Sequence, residues 1–170
     1  MRIYFACTVR GDRRGVGAGR AICGRLQQHG HQVLTTHVLA DDVEAAAARL
    51  SEEEVFRRDI DWLSRCEVLV AEASGSSAGV GFEVGFVLGR AASAGQRVVL
   101  LYEAARHAIS RLITGNGHDA CTTFAYTSIQ DLTAFTIDAL RLARSKSSGS
   151  LRNVARIPRS PRHCARGGAG

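Results

Sequence analysis

Residues 67–102, EVLVAEASGSSAGVGFEVGFVLGRAASAGQRVVLLY, decide the fold. Glu67–Ala71 is a short apolar run that reads as a buried strand. Val80–Ala94 follows as a helix, and Arg97–Tyr102, rich in Val and Leu, is a strand again. Strands separated by helices imply a parallel sheet covered on both faces. The same beat extends outward. Upstream, Ile3–Ala6 reads as a strand, Cys7–Gly19 as a loop, Arg20–His29 as a helix closed by Gly30, and Gln32–Thr35 as a strand ending at Thr36 and His37. Ser51 with Glu54 three positions later predicts a capping box for a helix reaching Arg65. Downstream, Cys121–Ala125 is a weaker strand candidate, and Ser128–Arg144 a helix with a serine cap. The expectation is an α/β chain: a three-layer sandwich around a parallel sheet of about five strands.

The chain has 170 residues, 45% hydrophobic and 22% charged, which suits one domain with its own core. Its net charge of +6 suggests a polyanion partner until the charge is located. Lys146, Arg152, Arg156, Arg159, Arg162 and Arg166 lie in a stretch with no acid, and without them 16 basic residues face 16 acidic ones. The body, residues 1–144, is thus formally neutral, which argues against a nucleic-acid groove. Residues 145–170, rich in Ser, Gly and Arg and holding both prolines, read as a basic, disordered tail. Cys7, Cys23, Cys66, Cys121 and Cys164 show no CxxC pair or metal-ligand spacing, so reduced thiols and no metal are expected. No leader pattern opens the sequence and no apolar run reaches the roughly 18 residues that span a bilayer, so a cytoplasmic location without a membrane partner is expected, with the nucleus open to a eukaryotic protein.

In such sheets ligands bind beyond the carboxyl ends of the strands. After the first strand, Cys7, Thr8, Val9, Arg10, Gly11, Asp12 and Arg13 bring a hydroxyl, two guanidiniums and a glycine, groups that suit a phosphate, although a solvated loop has the same composition. After the third strand, Ser77 and the amides near Gly79 stand at a helix start, a second phosphate cradle. Glu83 lies in the first turns of that helix among Gly79, Gly81 and Gly85, which either admit a ligand or allow tight packing. Asp59, beside Trp62, is the second carboxylate. If the two converge, they fit glycoside chemistry, in which one attacks or stabilises C1 and the other manages protons. His37 has the position of a pocket residue.

Several segments together resemble the 2'-deoxynucleoside 5'-phosphate N-hydrolase family of the nucleoside 2-deoxyribosyltransferase-like group. They are Tyr4-Phe5 with Val9-Arg10-Gly11, Thr35 to Val38, Arg58 to Leu63, and Val70-Ala71-Glu72 with Ser77 and Gly79 to Gly85. Ser110 with Leu112-Ile113 and Gly115 completes the set. The likeness spans roughly residues 3 to 140 and implies a Rossmann-like or flavodoxin-like homodimer that binds a deoxynucleoside 5'-monophosphate and needs no cofactor. Glu83 would attack C1', forming a covalent glycosyl-enzyme that water resolves; Asp59 would handle protons or orient the sugar, and Tyr4 would position the nucleophile. The segment from Cys7 to Arg13, Ser77 and Gly79 would hold the phosphate together with Ser110, Arg111 and Leu112 of the other subunit, and His37 would lie near the base. Cys7-Thr8 replaces the family's usual Gly-Ser, and Thr36 replaces a glutamate, so base preference stays open. A deoxyribosyltransferase or a non-catalytic nucleotide-binding module are the competing readings.

Overall fold

The computed structural model describes residues 1–147, except 44, 46, 47, 107 and 108. Its elements are β1 (Arg2–Ala6), α1 (Val16–Gln28), β2 (Gln32–Val33), a 3-10 turn (Thr36–Leu39), α2 (Glu52–Arg65) and β3 (Val68–Glu72). They continue with α3 (Ala78–Ala94), β4 (Arg97–Glu103), α4 (Arg111–Thr114), β5 (Cys121–Tyr126) and α5 (Ile129–Ser147).

Every strand pairing is parallel, in the order β2-β1-β3-β4-β5. This is the flavodoxin-like order, in which the chain winds one way from β1 to β2 and the other way from β3 onward. The crevice at the carboxyl ends of β1 and β3 lies at that switch point.

Side chains alternate faces along each strand, so two cores form. Ile3, Phe5, Val68, Val70, Val99 and Leu101 pack with Ile22 and Leu26 of α1 and with Leu132 and Leu140 of α5. Tyr4, Ala6, Leu69, Ala71, Val98 and Leu100 pack with Leu63 of α2 and with Val80, Val84 and Val87 of α3. Each fully buried large apolar side chain contributes about 1.5–3 kcal/mol.

The structure adjusts several expected boundaries. Helix α1 begins at Val16, four residues before Arg20, because Val16, Ala18 and Gly19 are already buried against the sheet. The second strand has two residues. Beyond it the Thr35 side chain takes over the pairing: its hydroxyl accepts from Phe5 N (2.9 Å) and donates to Phe5 O (2.6 Å), and the chain then turns into the 3-10 helix carrying His37. Glu72 belongs to β3, and α3 starts at Ala78 with Ser77 as its cap. The capping box of α2 is formed, Ser51 and Glu54 each bonding the other's backbone N–H. Helix α5 runs to Ser147, past the expected end at 144, and the reading of the rest of the tail as disordered falls outside the described residues.

Candidate active site

Tyr4 points from β1 into the layer of α2 and α3, and α3 turns Glu83 toward it. The Tyr4 hydroxyl donates to Glu83 Oε1 at 2.6 Å, the one hydrogen bond to Glu83 among the described residues. Burial pushes the Glu83 carboxyl up to about 7, the charge of Asp59 adds to the rise, and the Tyr4 hydrogen bond pulls it back. The Tyr4 hydroxyl is itself raised far above its usual range, first by burial and then by the charge of Glu83, so it remains a donor at any working pH. Asp59 stands mid-helix on α2, two turns beyond the capping box that anchors that helix. The structure therefore brings Tyr4, Asp59 and Glu83 to one pocket of about 950 Å³ at the switch point.

The wall next to Asp59 holds Arg58, to which the sequence reading gave no site role, and His37, to which it did. Arg58 donates from Nε to Asp59 Oδ1 at 2.9 Å, both side chains about one-quarter exposed, and its guanidinium lies 5.0 Å from the centre of the Trp62 ring. His37 packs against the same ring, centroids 5.5 Å apart. Burial, and next the Arg58 charge, hold the His37 imidazole below its usual range and so neutral at physiological pH. The adjacency of Arg58 to Asp59 was the available signal, yet an i, i+1 pair on a helix seldom faces one way.

The first loop divides. Cys7, Val9, Arg10 and Gly11 line the pocket, and Gly11, at φ +105°, adopts a backbone conformation that favours glycine. Thr8, Asp12 and Arg13 do not line it. Arg13 donates to the carbonyls of Val9 (3.2 Å), Ala40 (2.9 Å) and Val38 (3.5 Å), which staples the loop to the segment after the 3-10 turn. Asp12 pairs with Arg14 (2.7 Å) and Arg106 (2.8 Å) and is held well below the usual carboxylate range, chiefly by the Arg14 hydrogen bonds. Thr8 is 4% exposed, and its Oγ1 has no hydrogen-bond partner. Burial pushes the Cys7 thiol up to about 12, with Glu72 adding to the rise, which keeps it protonated and a poor nucleophile.

Ser77 caps α3 by accepting from Val80 N at 3.5 Å, and Ser77 and Gly79 both line the pocket. A side chain at Gly81 or Gly85 would meet only open space, so tight packing is not why those glycines are there. Close approach occurs instead at Gly75, where a Cβ would strike Thr8 Oγ1 and the Asp12 carbonyl, and at Gly15, where it would strike Glu72. Ser110 caps α4 by accepting from Leu112 N at 3.3 Å. Ser110, Arg111 and Leu112 lie outside this pocket, and Leu112 is 85% exposed. Among the described residues no three His, Cys, Asp or Glu side chains are grouped to hold a metal ion, and no helix is long and apolar enough to cross a membrane.

Fold and site together define a flavodoxin-like α/β protein whose switch-point pocket is lined by Tyr4, Asp59 and Glu83 together with Arg10, Ser77 and Gly79. The nucleoside 2-deoxyribosyltransferase family matches residues 3–140, and the chain belongs to that family. A Thermofilum pendens protein named "Putative 2'-deoxynucleoside 5'-phosphate N-hydrolase 1" is 36% identical over 132 residues, 77% of this chain and 89% of that one. The 5-hydroxymethyl-dUMP N-hydrolase of Danio rerio is 37% identical over 103 residues, 60% of this chain and 68% of that one. The structure of Clostridium botulinum CMP N-glycosidase, BcmB, superposes with a TM-score of 0.59 at 14% identity, covering 81% of this chain and 99% of that one, which supports the fold.

Proposed function

We propose that the chain is an N-glycosidase that hydrolyses 2'-deoxynucleoside 5'-monophosphates to free base and 2-deoxyribose 5-phosphate. The observation that carries this reading is the Tyr4–Glu83 hydrogen bond of 2.6 Å at a pocket that is also lined by Asp59, Arg10 and the Ser77 helix start. Tyr4 engages Oε1 of Glu83 and leaves Oε2 to attack C1'. The C1'–N bond breaks as the C1'–Oε2 bond forms, and Asp59 manages the proton that the departing base needs. Water then attacks C1', its proton passes by way of Asp59 to the departed base, and the Glu83 carboxylate is restored. Phosphate contacts remote from C1' position the scissile bond, so binding energy at one end is used at the other.

The phosphate-binding groups favour hydrolysis of a monophosphate over base exchange on an unphosphorylated nucleoside. The names of the relatives from Thermofilum pendens and Danio rerio point the same way. The site is completed in a homodimer: Ser110, on a short exposed helix away from its own pocket, reaches the phosphate of the neighbouring subunit with Arg111 and Leu112. Exposed Phe56 and Phe82, whose rings lie 6.4 Å apart on α2 and α3, supply apolar surface for that contact.

The test is chromatographic release of free base from the four deoxynucleoside monophosphates and their ribo counterparts, by the parent chain and by Glu83→Ala. Release from the deoxy substrates that falls on the order of 10⁴-fold or more in the variant is expected. Release unchanged by the substitution, or none from a folded parent, would refute the assignment.

A further inference from the structure

Glu72 does not line the pocket, yet it is 1% exposed, among the most deeply buried large side chains of the described chain. A carboxyl group in such a place needs partners. Its Oε1 accepts from the Tyr126 hydroxyl at 3.0 Å, from Ser74 N at 3.3 Å and, at short range, from the Ser74 hydroxyl. Ser74 Oγ in turn accepts from Glu103 N at 2.8 Å. One oxygen thus ties together the carboxyl ends of β3, β4 and β5. The other oxygen, Oε2, lies on Gly15, where any side chain would collide with it.

Gly15 is the N-cap of α1, a helix with no side-chain cap and no acidic residue in its first turn. Helix starts present free amides and favour an anion. Glu72 brings a carboxyl group to that point from the neighbouring strand. Burial raises this carboxyl group above its usual range, and the Ser74 and Tyr126 hydrogen bonds, with the Arg106 charge, pull it back.

The two segments that Glu72 touches are those assigned to the phosphate. Gly15 closes the loop that carries Arg10, and Ser74 opens the turn that ends at Ser77. They also meet each other, since Gly75 sits directly on Thr8 Oγ1 and the Asp12 carbonyl. Within the turn Ser76 adopts φ +50°, which a residue with a side chain keeps only where its surroundings impose it. We propose that Glu72 is a positioning residue for the phosphate end of the site, holding the Arg10 loop through Gly15 and the Ser77 turn through Ser74, with Tyr126 fixing its carboxyl group from β5. This inference rests on the proposed reading that a 5'-phosphate binds between those segments.

The experiment is calorimetric titration of the full chain with 2-deoxyribose 5-phosphate, alongside kcat, KM and Tm, for the parent, Tyr126→Phe, Glu72→Gln and Glu72→Leu. Tyr126→Phe removes one hydroxyl and keeps the ring, so it tests the device even if Glu72→Leu does not fold. Tyr126→Phe and Glu72→Leu are expected to weaken the sugar phosphate and raise KM about three- to tenfold, with kcat at saturation within about twofold of the parent. Glu72→Gln, whose amide oxygen still accepts from Ser74 and Tyr126, should recover most of the affinity. Variants that lower Tm while leaving affinity and KM at the parent values would reduce Glu72 to a structural residue and overturn the proposal, as would a fall in kcat without a change in affinity. A folded parent that binds no 2-deoxyribose 5-phosphate would refute the phosphate reading itself, visibly before any variant is compared, and would take this inference with it.

Discussion

On the proposed reading the pocket has a carboxylate end, where the side chains have partners within the chain, and a phosphate end, where Arg10 has none among the described residues. Tyr4 meets Glu83 and Arg58 meets Asp59. Arg10, which lines the pocket, makes no hydrogen bond or ion pair among the described residues. The first arrangement is preorganised for a reaction, because the groups need no rearrangement when charge develops. The second presents donors without acceptors, which is how a protein prepares to bind an anion supplied from outside. Substitutions at the two ends should therefore fail differently, in kcat at one and in KM at the other.

The largest contrast is expected within the carboxylate end. Tyr4→Phe and Asp59→Asn should each lower kcat about tenfold to a hundredfold, the scale of a charged hydrogen bond or a displaced proton-transfer group. Their pH profiles should move in opposite directions. Glu83 must be ionised to attack, so kcat/KM should rise with pH through about 7. The Tyr4 hydrogen bond lowers the Glu83 pKa, so Tyr4→Phe should shift that limb to higher pH. The Asp59 charge raises it, so Asp59→Asn should shift the limb lower. The second ionisation of the substrate phosphate, near ~6, is common to all three enzymes and cancels in the comparison. Shifts of the same sign in both variants would mean that Glu83 is not the group that titrates.

At the phosphate end the effect should be smaller and of another kind. Arg10→Ala and Ser77→Ala are each expected to raise KM for a deoxynucleoside monophosphate about five- to tenfold with kcat little changed, since each removes one or two contacts to an anion. Initial rates over a range of substrate concentration decide this. A loss confined to kcat at either position would erase the distinction between the two ends.

The strands β1 and β3 and the cap of α2 were legible because they follow from local chemistry: short apolar runs buried almost throughout, and a serine three residues before a glutamate. Asp59 and Glu83 were legible as candidate carboxylates but their convergence was not, since a carboxylate on a helix looks alike whether it faces a pocket or water, and Tyr4 entered only through resemblance to a family. What escaped the sequence depends on pairing across the sheet. Glu72 reads as the polar end of a strand, and nothing local shows that Tyr126, 54 residues later, donates to it. Arg13 resembles a phosphate ligand as much as Arg10 does, and only the fold shows that backbone carbonyls already engage its guanidinium. The glycines divide for the same reason: Gly81 and Gly85 beside Glu83 meet open space, which removes tight packing as their explanation, while Gly15, Gly19 and Gly75 are among those where backbone and side chain touch.

The smallest expected effect tests how rigidly the carboxylate end is mounted. Asp59 and Arg58 ride on α2, whose start is held by the reciprocal Ser51–Glu54 capping box. Ser51→Ala removes the side-chain acceptor for Glu54 N and should cost about 1 kcal/mol. For a domain of this size that corresponds to a fall in Tm of roughly 2–4 °C in a thermal melt. The loss should stay at the helix end. Leu63 is buried in the core and Gln96 Nε2 donates to the carbonyls of Leu63 (2.7 Å) and Cys66 (2.9 Å), so the far end of α2 is fixed independently of its cap. Fraying of the first turn then leaves Asp59 in place, and kcat and the pH limb should match the parent. A drop in kcat that tracks the drop in Tm would show instead that the carboxylate end is only as well positioned as its weakest helix terminus.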